Sequence, residues 1–314
     1  MRKFKILVTG GAGFIGSHLT ERLLEPDNEV IVLDDLSTGS EENLRAVSKS
    51  TKFKLVMGDV RSARTVEALV RKVDFVYHLA AKSLPVSLQR PRIVHEVNAT
   101  GTFNVCMSTR KGRVKRLVYI SSSVVYGTAQ YIPIDEGHPL QPRTPYCASK
   151  AAGEMYVRSF ANAWGIPAVI VRPFNTYGPR ARKGVYSSVI PCFVDRCLSG
   201  KPPIIYGDGK QTRDFTYISD IVDGIVKAAD CDDLLGDVVN IARGEEVSVN
   251  RIANIVLNLT GLEDKVNPVF EVPRPGDVRR QVADISKAKR ILHFKPEVSI
   301  EEGIEKYIKW RKTS

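Results

Sequence analysis

The segment Gly10-Gly11-Ala12-Gly13-Phe14-Ile15-Gly16 constrains this chain most, because it directly follows an apolar run at 4–9 and leads into a helical pattern. Glycines at 10, 13 and 16 remove the Cβ where a strand turns sharply into a helix and the backbone must approach a pyrophosphate closely. The helix start then offers unpaired N–H groups and the positive end of a dipole to an anion. Such a turn calls for an acid near the end of the second strand, and Asp34 stands eighteen residues past Gly16. A carboxylate there accepts from both ribose hydroxyls and repels a 2′-phosphate, so these residues favour NAD over NADP. Asp59-Val60 and Leu79-Ala80-Ala81 fall at the carboxyl ends of the third and fourth apolar runs, the edge along which ligands bind in such folds.

Further apolar runs at 29–33, 53–57, 75–79, 117–121 and 168–171 alternate with helical stretches. Several are apolar along their whole length, as strands buried on both faces should be. The expected fold class is α/β, a Rossmann-type doubly wound parallel sheet. The best-marked helix spans 146–164 and closes on Gly165-Ile166-Pro167, a C-terminal glycine followed by proline. After Arg172-Pro173 the texture changes to Pro- and Gly-rich loops between shorter helices at 219–229, 249–259 and 300–310. Residues 1–173 therefore read as a dinucleotide-binding domain and 174–314 mainly as a smaller substrate-binding region, with a late strand at 238–241 returning to the first sheet.

Composition narrows the function classes. The 314 residues are 43% apolar and 26% charged, ordinary globular usage. No apolar stretch approaches the roughly 18 residues of a membrane span, and the run Ile6-Leu7-Val8 ends too soon for an export signal. Five cysteines form no C-x-x-C pair and five histidines no H-x-x-x-H spacing, so a cytoplasmic protein without a metal is expected. The net charge of +11 is densest at Arg110-Lys111-Gly112-Arg113-Val114-Lys115-Arg116, a run without aromatics that reads as a solvated loop rather than a nucleic-acid surface. A field of this sign would more readily draw in a small polyanion such as a nucleotide.

Tyr146-Cys147-Ala148-Ser149-Lys150, with Ser121-Ser122-Ser123 upstream, supplies candidate chemistry. Tyrosine and lysine at i and i+4 share a helix face, so the ammonium, together with a cationic nicotinamide, can hold the phenol as phenolate and make it a general base. A serine hydroxyl from the strand end could bridge substrate and tyrosine. The same spacing recurs at Tyr206 and Lys210, where Gly207 and Gly209 argue for a turn instead.

With these motifs in order, the chain resembles the extended short-chain dehydrogenase/reductase family, and within it the nucleotide-sugar 4-epimerases of the UDP-glucose type. The resemblance runs through Gly10–Gly16, Leu33-Asp34-Asp35, Gly58-Asp59-Val60, His78–Ala81, Asn98-Ala-Thr-Gly101, Ser121–Gly127, Tyr146–Lys150, Arg172–Asn175, Arg213-Asp214-Phe215 and Arg274-Pro-Gly-Asp277. It implies tightly bound NAD on Gly10, Gly13, Phe14, Ile15, Gly16, Asp34, Asp35, Asp59, Val60, Leu79, Ala80, Ala81 and Asn98, together with Tyr146 and Lys150. It implies Tyr146 as base, Lys150 as its partner and the ribose ligand, and Ser122 as the hydroxyl partner. It further implies a UDP-sugar held by Ser83, Ser122, Ser123, Tyr146, Asn175, Arg213, Arg274, Asp277 and Gln281. Arg213 and Arg274 have a plainer role open to them, as ion-pair partners of Asp214 and Asp277.

Relatives that dehydrate nucleotide sugars carry Asp-Glu at the positions of Ser123 and Val124, and those that decarboxylate UDP-glucuronate carry Glu at that of Val124; this chain has neither acid. By resemblance this favours a 4-epimerase of UDP-glucose and UDP-galactose, with the N-acetyl sugars also in range. The alternatives are another nucleotide-sugar dehydratase, decarboxylase or reductase, or a catalytically silent NAD-binding regulator. Gln281 takes a position that borders the C2 substituent in related epimerases; as a flexible polar side chain it could swing aside or hydrogen-bond an acetamide. Relatives pair through helices near 98–110 and 146–164, which implies a homodimer.

Overall fold

The computed structural model describes residues 3–25, 27–181, 188–273 and 278–314. Seven parallel strands form its main sheet: β1 (Lys5–Thr9), β2 (Glu29–Asp34), β3 (Phe53–Met57), β4 (Phe75–His78), β5 (Arg116–Ile120), β6 (Ala168–Pro173) and β7 (Val238–Ile241). Their spatial order is β7-β6-β5-β4-β1-β2-β3. The expected strands thus form, and the late one does return to the main sheet, with Val238 opposite Ile170.

Five helices cover the sheet: α1 (Phe14–Leu24), α2 (Ala63–Val70), α3 (Gly101–Lys111), α4 (Pro145–Trp164) and α5 (Ile218–Asp230). Successive strand residues point to opposite faces. Ile6, Val8, Val118, Val169 and Val171 pack with Leu19 of α1 and Ile221 and Ile225 of α5. Leu7, Leu33, Val76, Leu117, Tyr119 and Ile170 pack with Val66 of α2, Val105 of α3 and Val157 and Phe160 of α4. Two covered faces explain why these strands are apolar throughout. Buried residues from the C-terminal half, among them Phe215, Ile252, Val256 and Tyr307, join the first of these clusters.

Strand order reverses between β1 and β4, where Thr9 lies level with Leu33 on one side and His78 on the other. The chain leaves these two strands toward opposite faces, which opens a crevice at their carboxyl ends.

The helix expected over 98–110 begins differently. A π-helical segment, Glu96–Thr100, precedes α3, and Asn98 lies in that segment. The second Tyr-x-x-x-Lys match is a turn, with Gly207 and Gly209 at φ 77° and 69°. The basic run is dispersed over separate partners: Lys111 to Glu67 at 3.5 Å, Lys115 to Asp74 at 3.0 Å and Arg116 to Asp232 at 2.5 Å, with Arg110 over the Trp164 ring at 4.6 Å. Among the described residues no helix is long and apolar enough to cross a membrane, and no three His, Cys, Asp or Glu side chains converge to hold a metal.

Candidate active site

A cleft of about 420 Å³ opens at the carboxyl edge of the sheet. Its wall runs from Gly10, Gly13, Phe14, Ile15 and Gly16 past Asp34, Asp35, Asp59, Val60, Leu79, Ala80 and Ala81 to Ser83, Ser122, Ser123, Tyr146, Lys150 and Asn175. Residues nominated from distant parts of the sequence therefore share one wall.

At the glycine end, Gly10 has φ 72° and a Cβ there would lie 2.7 Å from Ala80 N, while a Cβ on Gly16 would lie 2.1 Å from Gly10 O. Gly13 caps α1 without a side-chain hydrogen bond, which leaves the first-turn N–H groups uncapped. Asp34 accepts from Ala12 N and Leu36 N, both at 2.9 Å. Burial raises its pKa, and those two N–H groups pull against it. Asp59 is gripped by Arg61 Nε at 2.9 Å and Nη2 at 2.8 Å.

Sequence reasoning passed over Lys82. It is 9% exposed and lines the cleft, and its ammonium bonds Asp35 at 2.7 Å and also Ser37. Burial works against the Asp35 charge, but Lys82 and Ser37 hold its pKa below the usual range. Asn98 stands behind the cleft in this structure. Its Oδ1 accepts from Lys82 N at 2.8 Å and its Nδ2 donates to Ser149 Oγ at 2.9 Å, so it ties two cleft-forming segments together without lining the cleft. Ser121, of the serine cluster, has a buried hydroxyl with no partner among the described residues, and the residue lies on the cleft wall.

At the other end, Thr144 caps α4 by accepting from Cys147 N at 3.3 Å, and Pro145 opens the first turn. That start sets Tyr146 and Lys150 one turn apart on the cleft side. The Ser122 hydroxyl lies beside the Tyr146 phenol and acts to lower its pKa, against the effect of burial. Burial pushes the Tyr146 phenol up to about 12, and burial brings the Lys150 ammonium down to about 7. The ammonium donates to Ile120 O at 2.5 Å. Desolvation dominates both groups, so a further positive charge in the cleft, such as a cationic nicotinamide, would favour the ionised phenol.

On the substrate side, Asn175 lines the cleft and donates from Nδ2 to Gln281 Oε1 and to Asp214 O, each at 3.1 Å. Gln281 is 7% exposed, so this side chain is pinned in place rather than free to swing. Arg213 donates to Thr212 O at 2.8 Å and to Val278 O at 2.6 Å. Asp214 is occupied by the backbone N–H groups of Arg243, Gly244 and Ala283, at 3.1, 3.0 and 3.2 Å. The expected contacts of Arg274 and Asp277 lie outside the described residues.

Comparison with known proteins matches residues 7–307 to the family model described as GDP-mannose 4,6 dehydratase. A putative UDP-glucose 4-epimerase of Methanocaldococcus jannaschii is 37% identical over 312 residues, covering 98% of this chain and 99% of that protein. The solved UDP-N-acetylglucosamine 4-epimerase of Methanobrevibacter ruminantium M1, in complex with UDP-N-acetylmuramic acid, superposes with a TM-score of 0.93 at 34% identity, over 100% of this chain and 99% of that one. The UDP-glucuronic acid 4-epimerase of Bacillus cereus, in complex with UDP-glucuronic acid and NAD, gives 0.90 at 31% identity, over 98% and 99%.

Proposed function

The chain belongs to the extended short-chain dehydrogenase/reductase family that modifies nucleotide sugars, and we propose that it is an NAD-dependent 4-epimerase interconverting UDP-glucose and UDP-galactose. The observation that carries this reading is the cleft wall itself. Ser122, Tyr146 and Lys150 stand on it together, and the neighbouring residue that also faces the cleft is Val124. A valine cannot give a proton to a departing hydroxyl, so the wall supports oxidation and return without elimination.

The cleft fits a dinucleotide. Gly10 and Gly16 pack where no Cβ can stand, Gly13 leaves the start of α1 bare, and Asp34 sits where ribose hydroxyls would arrive. When bound, NAD supplies a hydride acceptor that takes hydrogen from C4 of the sugar and gives it back to the opposite face. Tyr146 Oη takes the proton of the 4-hydroxyl and later returns it. Ser122 fixes the direction of that transfer, and Lys150 favours the ionised phenol. Asn175, which also lines the cleft, orients the sugar nucleotide. Asp34→Ser should weaken NAD binding by ~10–100-fold, the scale of one or two lost charged hydrogen bonds, and relax discrimination against NADP. Titration of both dinucleotides against the purified variant measures it, and an unchanged preference removes Asp34 from the cofactor site.

Incubation with UDP-, GDP- and dTDP-sugars, read by NMR, tests the reaction. The expected result is interconversion of UDP-glucose and UDP-galactose without consumption of cofactor. Accumulation of NADH in step with product would mean a dehydrogenase. We also propose detectable activity on UDP-N-acetylglucosamine. Since Gln281 is held by Asn175, Gln281→Tyr should act by pushing Asn175 toward the cleft, losing the N-acetyl substrate more than the plain hexose. Equal loss of both would show that position 281 is no gate.

A homodimer completes the reading. Phe103, Met155, Tyr156 and Trp164 are 37–50% exposed on α3 and α4, and Phe103 packs edge-on to Tyr156 at 5.3 Å. Such an aromatic face on two adjacent helices suits burial against a second copy.

A further inference from the structure

We propose that Tyr119 is the positioning residue that keeps Lys150 charged one helical turn from Tyr146, carrying the ammonium on its ring face. The inference deepens the assignment of Tyr146 and Lys150 as the proton-transfer pair and rests on that reading.

Tyr119 is 1% exposed near the end of β5, and Lys150 is 3% exposed on α4. Lys150 Nζ lies 4.5 Å from the centroid of the Tyr119 ring. The same ammonium donates to Ile120 O at 2.5 Å, one residue along the strand. The Tyr119 hydroxyl donates back to Lys150 O at 3.2 Å, so one tyrosine touches both ends of the lysine. A Cβ on Gly153 would fall 2.2 Å from Tyr119 Oη, so the missing side chain at 153 is what lets the phenol reach beneath the helix.

The charged and titratable neighbours leave this contact as the deciding one. On β4, His78 lies 5.7 Å from the Tyr119 ring, its two ring nitrogens engaged with Thr9 at 2.6 Å and Thr102 at 2.9 Å. Burial and the nearby Lys150 push its pKa down to about 3, so it brings no charge. On α4, Glu154 gives both oxygens to Arg172 of β6, at 2.9 and 2.5 Å. The thiols Cys147 on α4 and Cys106 on α3 are the remaining titratable groups nearby. Among the described residues, the Lys150 ammonium therefore rests on one carbonyl and one π face, with no carboxylate bonded to it. A carboxylate would neutralise the ammonium and lock it, whereas a ring face holds a cation without cancelling its field and leaves two N–H donors free. Burial has already brought Lys150 down to about 7, with the Glu154 charge pulling it up, so a contact worth about one pH unit settles its charge at neutrality.

The test titrates the Tyr146 phenol by its ultraviolet difference spectrum in the NAD-loaded protein, with Tyr146→Phe as the blank. Position 119 is varied through Tyr119→Phe and then mono-, di- and trifluorophenylalanine, which keep the ring and weaken its π face stepwise. Tyr119→Phe should hold the Tyr146 titration within a few tenths of a unit. The fluorinated series should move it upward stepwise by about one unit in total, and lower kcat at pH 7 by about tenfold with little change in KM. A flat series overturns the proposal whether or not the protein epimerises a sugar. A stepwise shift in a protein that turns over none of the tested sugars upholds the Tyr119 assignment and fails the proposed reaction instead. Thermal melting of each variant confirms that folded protein is being titrated.

Discussion

Tyr146→Phe is expected to lower kcat by ~10²–10⁴ while the protein keeps its fold and its NAD, the scale of a lost general base. The substitution removes one oxygen from a half-buried ring and leaves the aromatic packing in place. What it removes is the hydroxyl that stands beside Ser122 on the wall, one helical turn from Lys150. Turnover of the wild type should also fall on the acid side, as the phenol takes up its proton. In the protein alone burial holds that phenol up at about 12. The acid limb near neutrality therefore requires the bound cationic cofactor, and the same titration without NAD should lie far to the alkaline side. Single-turnover assays, with NAD released by denaturation as a check on loading, measure both effects. Near-wild-type turnover in the variant would move the proton transfer elsewhere.

The residues legible in the sequence are those whose role is set by local mechanics. A turn that forbids Cβ atoms must write glycine at 10 and 16, and a helix that places two side chains on one face must space them as Tyr146 and Lys150. Alternating burial on two sheet faces wrote the apolar runs that mark the strands. The illegible features depend on distant pairings. Lys82 reaches the cleft through Asp35, 47 residues away, and Gln281 is pinned by Asn175 across 106 residues. Asn98 was read as a ligand because its motif is local, whereas its partners, Lys82 and Ser149, are not. The resting ionisation of Tyr146 is illegible for a related reason: helical spacing shows proximity, but burial of both groups is a property of the folded wall.

The second large effect concerns stability. Arg172 is 1% exposed and Glu154 fully buried, and their side chains meet through two hydrogen bonds of 2.9 and 2.5 Å. Arg172 also donates to Tyr126 Oη at 2.8 Å, and Tyr126 donates onward to Asn240 Oδ1 at 2.7 Å. Glu154→Gln should cost about 3–5 kcal/mol in urea unfolding, because the guanidinium stays buried without its counter-charge. Replacing both partners, Glu154→Leu with Arg172→Met, should recover a large part of that loss, since the solvation penalty of two buried ions disappears along with their attraction. The recovery should not extend to turnover. Glu154 sits one turn beyond Lys150, and Arg172 is followed by Pro173, Phe174 and Asn175 on the cleft wall. The pair thereby fixes the wall that carries the proton-transfer groups against the wall that faces the sugar. A cost below about 1 kcal/mol for Glu154→Gln would show that the charge, as opposed to the shape, of this buried contact contributes little.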